Sequence, residues 1–146
     1  MTLQEQALQF RETFNQETLP NISRYGFIKK ALWDMQVKLI KEESNEFIQA
    51  AGECFADPEN LDRRMEVAKE LADVVFVCYQ FAATFGIDLD KTMSLVFESN
   101  LSKLDEQGKP IYRQDGKVLK GPNYQPPDLH DCIPPVQLNY YETNGK

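Results

Sequence analysis

Apolar side chains recur at helical intervals over most of the first hundred residues. Leu3, Ala7, Phe10 and Phe14 return every three or four positions, the spacing of one helix face. Thr2 ahead of them is a side-chain cap, so a first helix is expected over about Leu3–Asn15. Pro20-Asn21 ends it, and a loop passes through Tyr25-Gly26-Phe27. A long helix then runs from about Lys29 to Cys54. Asp57-Pro58 marks the next boundary, with Asp57 as cap and Pro58 in the first turn of a helix over about Pro58–Phe85. Gly86 is placed to end it in the left-handed conformation. From Leu71 to Ile87 the chain reads LADVVFVCYQFAATFGI, in which Val67, Leu71, Val74, Cys78, Phe81 and Phe85 form the expected main ridge. Asp88 or Asp90 opens a further helix over about Leu89–Leu104, with Met93, Val96, Phe97 and Leu101 as its apolar positions.

Past Leu104 the texture changes. Gly108, Pro110, Gly116, Gly121-Pro122, Pro126-Pro127 and Pro134-Pro135 rule out a long helix. Asp115-Gly116, between Ile111-Tyr112-Arg113 and Lys117-Val118-Leu119, suits a short hairpin, and the remainder to Lys146 reads as an extended or partly mobile arm. Helices joined by short loops indicate one all-α domain, a four- to five-helix bundle over about residues 3–104 with an irregular arm over 105–146. The Leu71–Phe85 stretch is too apolar for the outer face of a small monomer. It is expected to pack also against another copy of the chain.

Two stretches break the amphipathic rule. In Lys41-Glu42-Glu43-Ser44-Asn45-Glu46-Phe47, residues Glu43 and Glu46 share one narrow sector with Leu32, Leu39 and Ala50, the sector that should face the core. Glu70 and Asp73 lie one turn apart beside the apolar ridge of the next helix, and Asp73 is the only charged residue between Leu71 and Ile87. An unpaired buried carboxylate is costly. Neither segment offers these four acids an obvious cationic partner, so a divalent cation is expected. An all-oxygen donor set selects Mg²⁺, or Mn²⁺ in its place, over zinc.

Composition narrows the chemistry further. The chain has 146 residues, 42% hydrophobic and 27% charged, with a formal net charge of −7. That charge argues against a general nucleic-acid surface but not against a phosphorylated ligand, because a metal reverses the sign of a local site. Cys54, Cys78 and Cys132 show no paired spacing and read as free thiols of a reducing, cytoplasmic setting, with Cys78 as core packing. The first residues carry no signal-peptide pattern, and charged turns before Leu71 favour a buried soluble helix over a membrane span. The single histidine, His130, falls in the Pro-rich tail as a surface residue; no serine has a histidine and acid partner, and no Walker or GxGxxG run is present. Lys103 ends the last expected helix, and Lys109, Arg113, Lys117 and Lys120 lie in the turn-rich stretch after it, a composition suited to gripping a polyphosphate. Phe10, Phe14, Trp33, Tyr79 and Tyr124 are candidates for stacking on a base, but each reads first as core.

These residues carry a family resemblance. Glu42-Glu43-xx-Glu46 followed by Glu70-xx-Asp73 resembles the EExxE…ExxD signature of the all-α nucleotide pyrophosphohydrolases. That superfamily includes MazG-like enzymes, dimeric dUTPases and phosphoribosyl-ATP pyrophosphohydrolases. Asn100-Leu101-Ser102-Lys103, Asp115-Gly116-Lys117 and Leu119-Lys120-Gly121-Pro122 resemble the MazG-like branch, and the resemblance spans about Leu32 to Tyr124.

The resemblance implies Mg²⁺-dependent hydrolysis of a nucleoside triphosphate to a monophosphate and pyrophosphate. It implies that Glu43, Glu46, Glu70 and Asp73 hold the metal. Glu42 would orient or deprotonate the attacking water, or serve as a further ligand, and Glu46 is carried as catalytic as well. Lys103, Arg113, Lys117 and Lys120 would contact phosphates, with Asn100 and Tyr79 near the nucleotide. Phe76 stands where the family commonly has a tyrosine after ExxD, with Tyr79 one turn later. The implied assembly is a homodimer or homotetramer. Two alternatives stay open: a phosphoribosyl-ATP pyrophosphohydrolase on the same acidic scaffold, and a non-catalytic helical oligomer that binds nucleotides or a protein.

Overall fold

The computed structural model describes residues 1–18 and 30–134. Four α-helices and one 3₁₀ turn occur among them, and no strand, so the fold is all-α. The helices are α1 (Leu3–Thr13), α2 (Lys30–Ala56), α3 (Leu61–Phe85) and α4 (Leu89–Leu101); the 3₁₀ turn is His130–Cys132. The expected start of α2 at Lys29 and the last residues of the arm lie outside the described residues. The chain forms two compact units, which divide between Ile87 and Asp88.

In the first unit α3 is the central element, packed against both α2 and α1. A capping box starts α1: Glu5 N–H donates to Thr2 Oγ1 at 3.2 Å, and Thr2 N–H donates to the Glu5 carboxylate at 2.6 Å. Phe10 meets Phe76 edge-on, with ring centroids 5.1 Å apart. Arg11 enters the interior almost completely and donates to Gln80 Oε1 at 3.3 Å and to the Glu17 carbonyl at 2.9 Å. Gln80 Nε2 returns a bond to the Ala7 carbonyl at 3.4 Å. On the other side, Trp33 of α2 packs against Phe81 and Phe85, with centroids 4.9 and 4.8 Å away. Phe10 and Trp33, named as stacking candidates, are thus engaged in ring packing within this unit.

Two expectations for α3 need correction. The helix starts at Leu61, not Pro58, because Asn60 is the cap: its Oδ1 accepts from Asp62 N–H and Arg63 N–H at 3.0 and 3.3 Å. Asp57 instead accepts from the Asn60 amide. The buried face also differs. Glu70, Val77, Gln80 and Thr84 are buried with Tyr79, Ala82, Ala83 and Phe85, whereas Leu71 of the expected ridge is exposed. A helix that is apolar nearly all round carries no phase in its pattern, so packing partners choose the face. Gly86 closes α3 at φ 74°, as its position predicts.

The second unit is built on α4. Asp88 is the cap, accepting from Lys91 N–H at 2.9 Å, and the helix ends at Leu101, one turn short of Leu104. The stretch after it is folded back on α4. Ser99 Oγ donates to the Gln125 carbonyl at 2.7 Å, Gln125 N–H donates to Ser102 Oγ at 2.9 Å, and Asp88 N–H donates to the Cys132 carbonyl at 2.8 Å. The expected hairpin is present as a single bridge, Tyr112 to Val118, turned at Gly116 with φ 88°.

Candidate metal centre

Glu43 and Glu46 sit one turn apart on α2, and Glu70 lies on the part of α3 packed against it. Carboxylate oxygens of these three residues all lie within 4.8 Å of one another. Glu70 is buried, Glu43 is half-buried and Glu46 is exposed, so the acids form a graded edge and not the four inward side chains that periodicity suggests. Asp73, half-buried, stands outside the tight triangle but is tied to it through Lys69. Glu70 and Glu46 also line an open cleft of about 170 Å³, together with Gln49, Ala50, Glu53 and Glu66.

The electrostatics of the triangle are divided. Burial raises the Glu43 carboxyl above its ordinary range, and Glu46 and then Asp73 push it further. Glu70 moves the other way, lowered chiefly by its hydrogen bond from Lys69, which outweighs the opposing effect of burial. Lys69 is raised above the ordinary lysine range by its bonds to Glu70 and Asp73. Among the described residues, two buried oxygens in the triangle find no hydrogen-bond partner, Glu43 Oε2 and Glu70 Oε2. Buried polar atoms are rarely left so. An oxygen-only set with two orphaned acceptors matches a hard divalent cation.

Lys69 was missed in the sequence. The sequence pattern offers these acids no obvious cationic partner, yet Lys69 Nζ lies 2.9 Å from Glu70 and 3.0 Å from Asp73. The signal was available, because Lys69 and Asp73 are four residues apart on one helix. Glu42 is exposed, lies outside the tight triangle, and faces Lys38 at 3.8 Å.

The remaining candidates divide between the units. Tyr79 is buried in the first. Asn100, Lys103, Arg113, Lys117 and Lys120 belong to the second. There Arg113 is held by Asp115 in a two-pronged pair at 2.8 and 2.5 Å, and the Lys120 ammonium lies 4.6 Å from the ring centre of Tyr124. Asn100 and Lys117 are exposed, and the Lys103 carbonyl accepts from Gly121 N–H at 2.9 Å. His130 is exposed and pairs with Asp128 at 2.9 Å.

The family model described as phosphoribosyl-ATP pyrophosphohydrolase matches residues 8–100, a span that contains the whole acidic triangle and Asp73. The chain belongs to this family. Family membership places it in the MazG-like nucleotide pyrophosphohydrolase superfamily and makes pyrophosphohydrolase the coarse activity. No curated protein sequence matches the chain. Family members are typically dependent on a divalent metal, in keeping with the acid cluster found here. Among the described residues no single helix is long and apolar enough to cross a membrane.

Proposed function

We propose that the protein is a Mg²⁺-dependent nucleoside triphosphate pyrophosphohydrolase, releasing a nucleoside monophosphate and pyrophosphate, with Mn²⁺ as a possible substitute metal. The observation that carries the reading is the triangle of Glu43, Glu46 and Glu70 with its two orphaned buried oxygens. Glu43, Glu46, Glu70 and Asp73 are assigned to hold the metal. When bound, it would neutralise phosphate charge and lower the pKa of a water molecule. Glu42, exposed on the helix that carries Glu43 and Glu46, is assigned to orient that water or take its proton. Glu46, at the exposed edge of the triangle, is the acid best placed to act both on the metal and on the reacting water.

Tyr79, Asn100, Lys103, Arg113, Lys117 and Lys120 are proposed as nucleotide and phosphate contacts on the strength of the NLSK and DGK runs. For Arg113 this requires an exchange of Asp115 for phosphate. A homodimer or homotetramer is proposed as well, supported by the exposed apolar side chains Leu61, Met65, Leu71 and Val75 of α3. A cytoplasmic setting is proposed from the free cysteines.

Phosphoribosyl-ATP is the second substrate reading, favoured by the description of the family that matches. One screen separates the two: ordinary and deoxynucleoside triphosphates beside phosphoribosyl-ATP, each with Mg²⁺, with pyrophosphate and orthophosphate read separately. Pyrophosphate from a triphosphate, lost in Glu46→Gln and Asp73→Asn with helical content intact, is the expected result. Pyrophosphate from phosphoribosyl-ATP alone would move the assignment to the second reading. No pyrophosphate from any substrate would favour a non-catalytic binding protein. Truncation after Leu104 should raise the substrate concentration needed while metal binding persists; unchanged kinetics would remove Arg113, Lys117 and Lys120 from the substrate site.

A further inference from the structure

Of the ion pairs between described residues, only those of Lys69 reach the four acids assigned to the metal. The pair with Asp73 is ordinary, because residues four apart on a helix share a face. The pair with Glu70 is not. Neighbouring residues leave the helix about 100° apart, yet Lys69 Nζ lies 2.9 Å from Glu70 Oε1. A lysine side chain that is 60% exposed loses rotamer freedom by holding two carboxylates at once. The bonds and charges of Glu70 and Asp73 supply the compensation. The ammonium thereby takes Glu70 Oε1 and Asp73 Oδ2, while Glu43 Oε2 and Glu70 Oε2 stay buried and unpaired. One monovalent head satisfies only part of a cluster bearing four acids.

We infer that Lys69 is a built-in counterion that competes with the divalent cation for Glu70 and Asp73, and so sets the metal affinity of the site. The inference rests on the metal-site reading above. It adds a residue outside the acidic signature to the determinants of metal loading, and gives the metal-free protein an internal substitute for part of the missing charge. A divalent cation wins the exchange because it brings two charges and accepts several oxygens at once, whereas the ammonium offers one charge and three N–H donors.

The test is Mn²⁺ binding to the full chain without nucleotide, followed by calorimetric titration and by the electron paramagnetic resonance signal of free Mn²⁺. Lys69→Met should bind Mn²⁺ roughly two- to thirty-fold more tightly than the unaltered protein, the range expected for releasing two ion pairs made by a solvent-exposed lysine. Lys69→Arg, which keeps the charge, should stay within about twofold, and so should Lys38→Met, which removes a nearby cation paired with Glu42. Equal or weaker binding by Lys69→Met, with Mn²⁺ still bound by the unaltered protein, would overturn the counterion role alone. A similar gain in Lys38→Met would also overturn it, by reducing the effect to general surface charge. Absence of Mn²⁺ binding in every form would overturn the metal site itself.

Discussion

Glu43→Gln should make the metal-free protein more stable. Carboxylate oxygens of Glu43, Glu46 and Glu70 lie within 4.8 Å of one another, and Glu43 keeps one buried oxygen without a partner. Two unit charges at that separation repel by about 0.9 kcal/mol in a water-like dielectric, the appropriate limit where Glu43 is half-buried and Glu46 exposed. The amide removes the charge at nearly constant shape and adds an N–H₂ group that can donate to a neighbouring carboxylate. A gain of about 1–2 kcal/mol follows, or roughly 2–8 °C in Tm for a chain of 146 residues. Scanning calorimetry in EDTA at neutral pH measures it. Excess Mg²⁺ should then reverse the order, because a ligand bound only by the native state raises stability as the logarithm of one plus its free concentration over its Kd. A variant that melts at or below the unaltered protein in EDTA, or that gains as much from Mg²⁺, would refute the reasoning.

Three other outcomes follow from single residues of the two units. Gly121→Ala should cost about 1–3 kcal/mol, because an added Cβ would lie 2.2 Å from the Leu104 carbonyl oxygen and 2.7 Å from that of Lys103; an unchanged melting curve would disprove the clash. Gln36→Leu should raise stability by about 1–3 kcal/mol, since Gln36 is buried and its Oε1 is unpaired among the described residues; a loss in urea denaturation would disprove the unpaired oxygen. Asp115 is held below the ordinary aspartate range, chiefly by Arg113 and then by a backbone bond at Lys117. Its contribution is therefore fully present above the ordinary aspartate pKa and is lost as pH falls through the depressed value. Carboxyl-carbon NMR should show its midpoint rise in Arg113→Gln; an unmoved midpoint would contradict that cause.

Local signals in the chain were good guides to where most helices begin and end. Thr2, Gly86 and Asp88 act at the helix ends their positions suggest, because a cap depends on atoms within a few residues. Asn60 displaced Asp57 through the same local chemistry, and a cap two residues after a proline competes well with one before it. The acidic pairs were legible because charge in an apolar stripe is conspicuous. The buried face of α3 was not, since Leu71 and Val77 are equally apolar and only the packing of α1 and α2 separates them. The fold-back of the second unit was also hidden. It depends on hydroxyls of Ser99 and Ser102 meeting Gln125, 26 and 23 residues away, and no periodicity records such a bond.

Arg11 has a consequence for how the first unit comes apart. Its guanidinium is sealed from solvent at 1% exposure, and burial draws its pKa below the ordinary arginine value. Undocking the N-terminal segment would strip Gln80 of its partners in the heart of the central helix. Loss of that segment is thus coupled to loosening of the element that carries Glu70 and Asp73. Its inner amides should exchange with deuterium at the pace of the whole unit and not fray, and trimming that end should weaken the binding of the divalent cation proposed for these acids.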